Sequence, residues 1–112
     1  MALPGSMELK IAAEFRRRIE EYLGEGLRDV RLFGSRVRGE GHSESDLDIL
    51  VLLDRNDRER RSRIIDIAYE INLEHDFIAP LSPLVMDEQE FSLCRSRERR
   101  LVLDIVNEGL PV

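Results

Sequence analysis

The chain has 112 residues, 42% hydrophobic and 36% charged, a balance that suits one globular core rather than a disordered polymer. No apolar run approaches the roughly 20 residues that span a bilayer, and the lone Cys94 excludes an internal disulfide and a thiolate metal site. The net charge of −6 argues against broad binding of nucleic-acid phosphate, although the 17 basic residues, all arginine but Lys10, leave room for a local cluster that meets phosphate.

Residues 1–6 lack the basic start and apolar run of a leader, and read as an expression remnant or disordered start ahead of a domain covering 7–112. From Glu8 to Leu23, Ala12, Phe15, Ile19 and either Tyr22 or Leu23 recur at helical spacing, and Gly24 and Gly26 end the helix. Arg28 to Phe33 reads as a short strand, broken by Gly34-Ser35. A helical turn over Arg36 to Gly39 and a polar loop over Glu40 to Ser45 follow.

Asp46 to Leu53 is the clearest strand. Leu47, Ile49, Val51 and Leu53 share one face, Asp46, Asp48, Leu50 and Leu52 the other, and both faces turn apolar beyond Asp48. That pattern predicts a central, buried strand with two carboxylates at its entrance. An amphipathic helix follows the charged stretch from Asp54 to Arg63, turning Ile64, Ile67 or Ala68, and Ile71 inward. Phe77 to Met86 reads as a third strand, at an edge because Pro80 and Pro83 cannot donate ladder hydrogen bonds. Asp87 with Glu90 forms a capping box before a last helical region, in two pieces around Ser96, that buries Phe91, Cys94, Leu101 and Ile105 until Gly109 stops it. The expected fold is α/β: one small mixed sheet covered by helices. The chain should be soluble and cytoplasmic, without membrane attachment or direct nucleic-acid binding, and open to homo- or hetero-oligomerisation.

The chemistry concentrates between Gly34 and Val51. Two carboxylates two residues apart on a strand project from one face roughly 6.5–7 Å apart, so Asp46 and Asp48 can converge on Mg²⁺. Gly34 permits close approach of backbone to phosphate, and Ser35 adds a hydroxyl beside the free N–H groups of a helical turn. Arg36 or Arg38 can meet the outer phosphates of a nucleoside triphosphate, and the residues alone leave open which one. His42 and His75 stand far apart without companion ligands and give no zinc signal.

Gly34-Ser35-Arg36-Val37-Arg38-Gly39, then Ser45-Asp46-Leu47-Asp48-Ile49-Leu50-Val51, resembles the signature of the DNA polymerase β-type nucleotidyltransferase superfamily, and most of all its minimal nucleotidyltransferase branch. Either half is weak alone; joined by an eleven-residue step from Ser35 to Asp46 they are specific. The resemblance implies a polymerase β-like fold, ATP as donor with Mg²⁺ held by Asp46 and Asp48, and a companion protein of the HEPN type. HEPN proteins are all-helical ribonuclease toxins. Relatives in this branch act as their antitoxins, transferring AMP to a tyrosine of the toxin. The resemblance also implies a third carboxylate on the next core strand. Alignment puts Pro80 there, and Asp76, of the same strand parity, is the candidate substitute. A domain of this fold that binds nucleotide or partner without transfer is the alternative reading.

Overall fold

The computed structural model describes residues 5–34, 46–97 and 99–112. Helix α1 spans Ser6–Leu23 and starts two residues earlier than its apolar pattern announces, because Gly5 caps it with its N–H donated to the Glu8 carboxylate at 2.7 Å. Ile11, Ala12, Phe15 and Ile19 form its buried face, while Tyr22 stays exposed. A 3-10 turn at Gly24–Gly26 leads into β1, Leu27–Phe33. Then come β2, Leu47–Leu53, and α2, Arg58–Glu74, whose first turn is capped by the Asp57 carboxylate accepting from Arg60 N–H at 2.9 Å.

Strand β3, Leu81–Asp87, begins four residues later than the expected Phe77. Helix α2 persists to Glu74, and the backbone then reverses through Asp76 and Phe77, which both adopt positive φ, 53° and 54°. Asp87 is both the last residue of β3 and the N-cap of α3, Glu88–Ser96, where the expected capping box with Glu90 forms. After a break, α4 covers Arg100–Glu108, and a two-residue strand β4, Leu110–Pro111, closes the described chain. Because α4 starts afresh, its buried face is its own: Val102 and Ile105 point inward and Leu101 is exposed, contrary to the expectation for Leu101. Cys94 is only half-buried.

Among the described residues the strands form one mixed sheet in the order β3-β2-β1-β4. β1 runs antiparallel to β2 and to β4, and β2 parallel to β3. The two apolar faces of β2 explain its central place, and β3 lies at the edge as its prolines require. The Pro80 carbonyl accepts from Leu47 N–H at 2.7 Å, whereas Leu81 N–H points away from β2 to the Asn72 side chain. By this alternation residue 83 also faces outward, so Pro83 costs the ladder no hydrogen bond.

Helices α1 and α2 cover one face of the sheet, packing on Val30, Leu32, Leu47, Ile49, Val51, Leu53 and Leu81. The other face carries a smaller cluster of Phe33, Leu50 and Ile105, with Leu84, Met86 and Phe91 packed against it. That thinner cover leaves the entrance of β2 accessible: Asp46 is exposed and Asp48 half-buried.

Candidate functional site

Three strands meet at the entrance of β2. Asp48 stands opposite Phe33 of β1 and Ser82 of β3, so Ser82 shares its face and its level. Leu47 is fully buried between the two carboxylates, in register with Leu81. This fixes the backbone from which Asp46 and Asp48 project.

Gly34 follows β1 directly with φ +88°, a backbone conformation that favours glycine. A side chain there would place its Cβ 2.4 Å from Asp48 Oδ2, inside contact distance. The glycine therefore serves two needs at once. It turns the chain out of β1, and it leaves space against the one carboxylate edge that reaches toward the turn. That space beside two hard oxygen donors fits Mg²⁺, an ion that takes one or two carboxylates and completes its shell with water or substrate phosphate. Among the described residues no cluster of three His, Cys, Asp or Glu side chains forms, and Asp46 and Asp48 are the two carboxylates that β2 carries at this entrance.

The remaining candidates fall in different places. Ser35, Arg36 and Arg38 lie outside the described residues. Asp76 is exposed in the left-handed turn after α2, not on an extended strand. Asp76 thus lies on a turn and not on the strand where its parity placed it as a third carboxylate, and among the described residues Asp46, Asp48 and Asp76 do not form a three-acid cluster. His75 is engaged elsewhere: its Nε2 lies 3.2 Å from Glu14 Oε2, and Glu14 also accepts from Arg18 Nη2 at 2.7 Å. The His75 hydrogen bond first, then the Arg18 guanidinium, hold the Glu14 carboxyl below its ordinary value against partial desolvation.

Two residues beside the site are not singled out by the sequence motifs. Ser82 gains its position beside Asp48 from a parallel register that no local pattern encodes. Asn72 is buried on α2, where its Oδ1 accepts from Leu81 N–H at 2.8 Å and its Nδ2 donates to the Leu81 carbonyl at 3.2 Å. It pins the outer edge of β3 at the level of Leu47. A polar residue inside an apolar helical face is the one hint the sequence offers.

A mixed sheet of this order, backed by two helices and with paired carboxylates at the entrance of its central strand, is the frame of a nucleotidyltransferase. The profile described as "Nucleotidyltransferase domain" matches residues 12–105, and the chain belongs to that family. A protein of Methanocaldococcus jannaschii, provisionally named a protein adenylyltransferase, is 35% identical over 78 residues, covering 69% of this chain and 77% of the relative. A provisionally assigned nucleotidyltransferase of Sulfolobus solfataricus superposes with a TM-score of 0.58 at 22% identity, over 94% of this chain and 78% of that one. Toxin-antitoxin complexes also match. One with AMP-PNP gives a TM-score of 0.53 at 23% identity over 88% of this chain and 69% of that one. Another, a tri-AMPylated Shewanella oneidensis HEPN toxin with its MNT antitoxin, gives 0.50 at 20% identity over 93% and 70%. At these identities the structural likeness is one of fold.

Proposed function

We propose that this protein transfers AMP from ATP to a hydroxyl of a partner protein, and that the partner is a HEPN-type toxin for which it is the antitoxin. The observation that carries the reading is the juxtaposition of Gly34 with the Asp48 carboxylate at the entrance of β2. Membership of the nucleotidyltransferase family supports the reaction class, the M. jannaschii relative supports protein as acceptor, and the AMPylated toxin complex supports the partner.

Asp46 and Asp48 would hold Mg²⁺, which when bound neutralises triphosphate charge. Gly34 gives the phosphates room beside Asp48, and Ser35 with Arg36 or Arg38 would bind their outer oxygens. Attack by the acceptor hydroxyl forms a bond to the α-phosphorus and breaks its bond to the bridging oxygen, releasing pyrophosphate. Positioning of this kind, more than covalent participation, is what the protein must supply.

The hydroxyl proton needs a base, and here a specific observation favours the second reading, nucleotide or partner binding without transfer. At the level of Asp48, β3 offers Ser82, and the residue before Leu81 is Pro80. Neither is a base at neutral pH. We assign Asp76 no part in transfer.

Incubation of the chain with the product of its adjacent reading frame, α-labelled ATP and Mg²⁺ separates the two. Label on the partner that vanishes with Asp46→Asn/Asp48→Asn is the expected result. ATP binding without label, or partner binding without ATP binding, points to the second reading, and a chain that binds neither ATP nor the partner overturns both.

A further inference from the structure

The solvent side of α2 is not the polar surface that an outer helix face normally carries. Ile65, Tyr69 and Leu73, four residues apart, make a stripe 45%, 56% and 51% exposed, and Phe77 and Ile78 extend it at 45% and 61%. The parts are contiguous: the rings of Tyr69 and Phe77 meet edge-on with centroids 6.0 Å apart. Asp76 and Phe77 both hold positive φ as they present Phe77 and Ile78 outward. Two successive non-glycine residues in that region cost free energy, and structures keep such strain where an exposed feature needs it. Large apolar patches of this kind mark surfaces that another molecule covers.

We propose that the occupant is a second copy of this chain, with the two α2 helices antiparallel about a two-fold axis beside Tyr69. The stripe is laid out for self-complementarity. Ile65 and Leu73 lie four residues either side of Tyr69, so an antiparallel pairing sets Ile65 of each copy on Leu73 of the other and the two Tyr69 rings together. The charges point the same way. Arg58 and Arg61 sit exposed at the N-terminal end of the stripe and Asp76 at its C-terminal end, and no ion pair engages any of the three within the described residues. Arg61 precedes Tyr69 by roughly 12 Å of helix, and Asp76 follows Tyr69 at a similar remove just past the helix end. Antiparallel pairing therefore brings Arg61 to Asp76 twice, once at each end. A parallel pairing would oppose arginine to arginine and acid to acid, and like charges across an interface disfavour it.

Sedimentation equilibrium of the full chain over a dilution series tests this. The expected mass is twice the 13.0 kDa of the chain, falling to the single value on dilution. Leu73→Glu, at an exposed site, should give a single-chain mass throughout while its thermal melt matches the concentration-independent part of the wild-type melt. Arg61→Glu should weaken association, and Arg61→Glu/Asp76→Arg should restore it. A wild-type chain that stays single at every concentration overturns the proposal, including when it then binds another protein through this stripe. So does a dimer that survives Leu73→Glu, or one that the double charge reversal fails to restore. None of these readings depends on nucleotide transfer, so the test stands apart from the proposed activity.

Discussion

Gly34 couples the backbone to the site more directly than any acidic residue does. Its φ of +88° is strained for any other residue, and an added methyl would collide with Asp48 Oδ2 at 2.4 Å. Gly34→Ala should therefore destabilise the fold by about 1–3 kcal/mol. It should also weaken ATP binding by more than about tenfold, because relief of the clash requires the carboxylate or the turn to move. Calorimetric titration with a non-hydrolysable ATP analogue, beside a thermal melt, checks both. A variant that melts earlier yet binds the analogue normally would separate Gly34 from the site. Asp76→Asn makes the contrast, since asparagine tolerates the left-handed backbone at φ 53° and removes only the charge. Analogue affinity and any transfer rate should be unchanged; a loss in either would return Asp76 to the catalytic group.

At the scale of elements, the outer edge of β3 is tied at its start to α2 by the hydrogen bonds of the Asn72 side chain. Asn72→Leu fills the same space but leaves the Leu81 N–H and C=O without partners, costing about 1–3 kcal/mol for each group that stays dry. Urea unfolding should register that loss, and a variant as stable as wild type would mean water replaces the amide. A second tie joins α1 to α2 through Glu14, His75 and Arg18. Glu14 in the folded state lies below its ordinary 4.5, so its contribution is complete above that pH and disappears as pH falls through the lowered value. Glu14→Gln should be less stable than wild type at neutral pH, with a deficit that shrinks on acidification below 4.5. A deficit constant through the acid range would assign the loss to packing instead. Helices α1 and α2, strands β1 and β2 and the α3 capping box were legible because periodicity and caps are local. The start of β3 was not, since only the turn at Asp76 and Phe77 decides where the apolar run stops being helix-exit and becomes strand. The phase of α4 depends on the break before Arg100, which is why Val102 and not Leu101 is buried. β4 is two residues long and contains Pro111, so it exists only by pairing with Arg31 and Leu32. In the candidate site, the spacing already set Gly34 beside the entrance that carries Asp46 and Asp48, but Ser82 and Asn72 owe their places to a parallel register and a tertiary contact.

For the whole molecule, the thin cover on the Asp48 face links nucleotide binding to stability. Among the described residues the buried cluster on that face is Phe33, Leu50 and Ile105, much smaller than the one beneath α1 and α2, so the entrance of β2 gains from a ligand that docks on it. A ligand that binds only the folded chain stabilises it by about 2.7 kcal/mol at a hundredfold excess over its Kd. For a domain of this size, that corresponds to a rise in Tm on the order of 10–20 °C. ATP with Mg²⁺ should produce such a rise in the wild-type chain. Chelating the metal should abolish most of it, because without the cation Asp46 and Asp48 present two negative charges to the triphosphate and repel it. Asp46→Asn/Asp48→Asn should then reverse the sign of the comparison: it loses the metal-dependent rise yet tolerates ATP alone better than the wild-type chain does. A wild-type melt that responds equally to ATP with and without Mg²⁺ would place the nucleotide away from the two carboxylates, and the assignment of the site would fall with it.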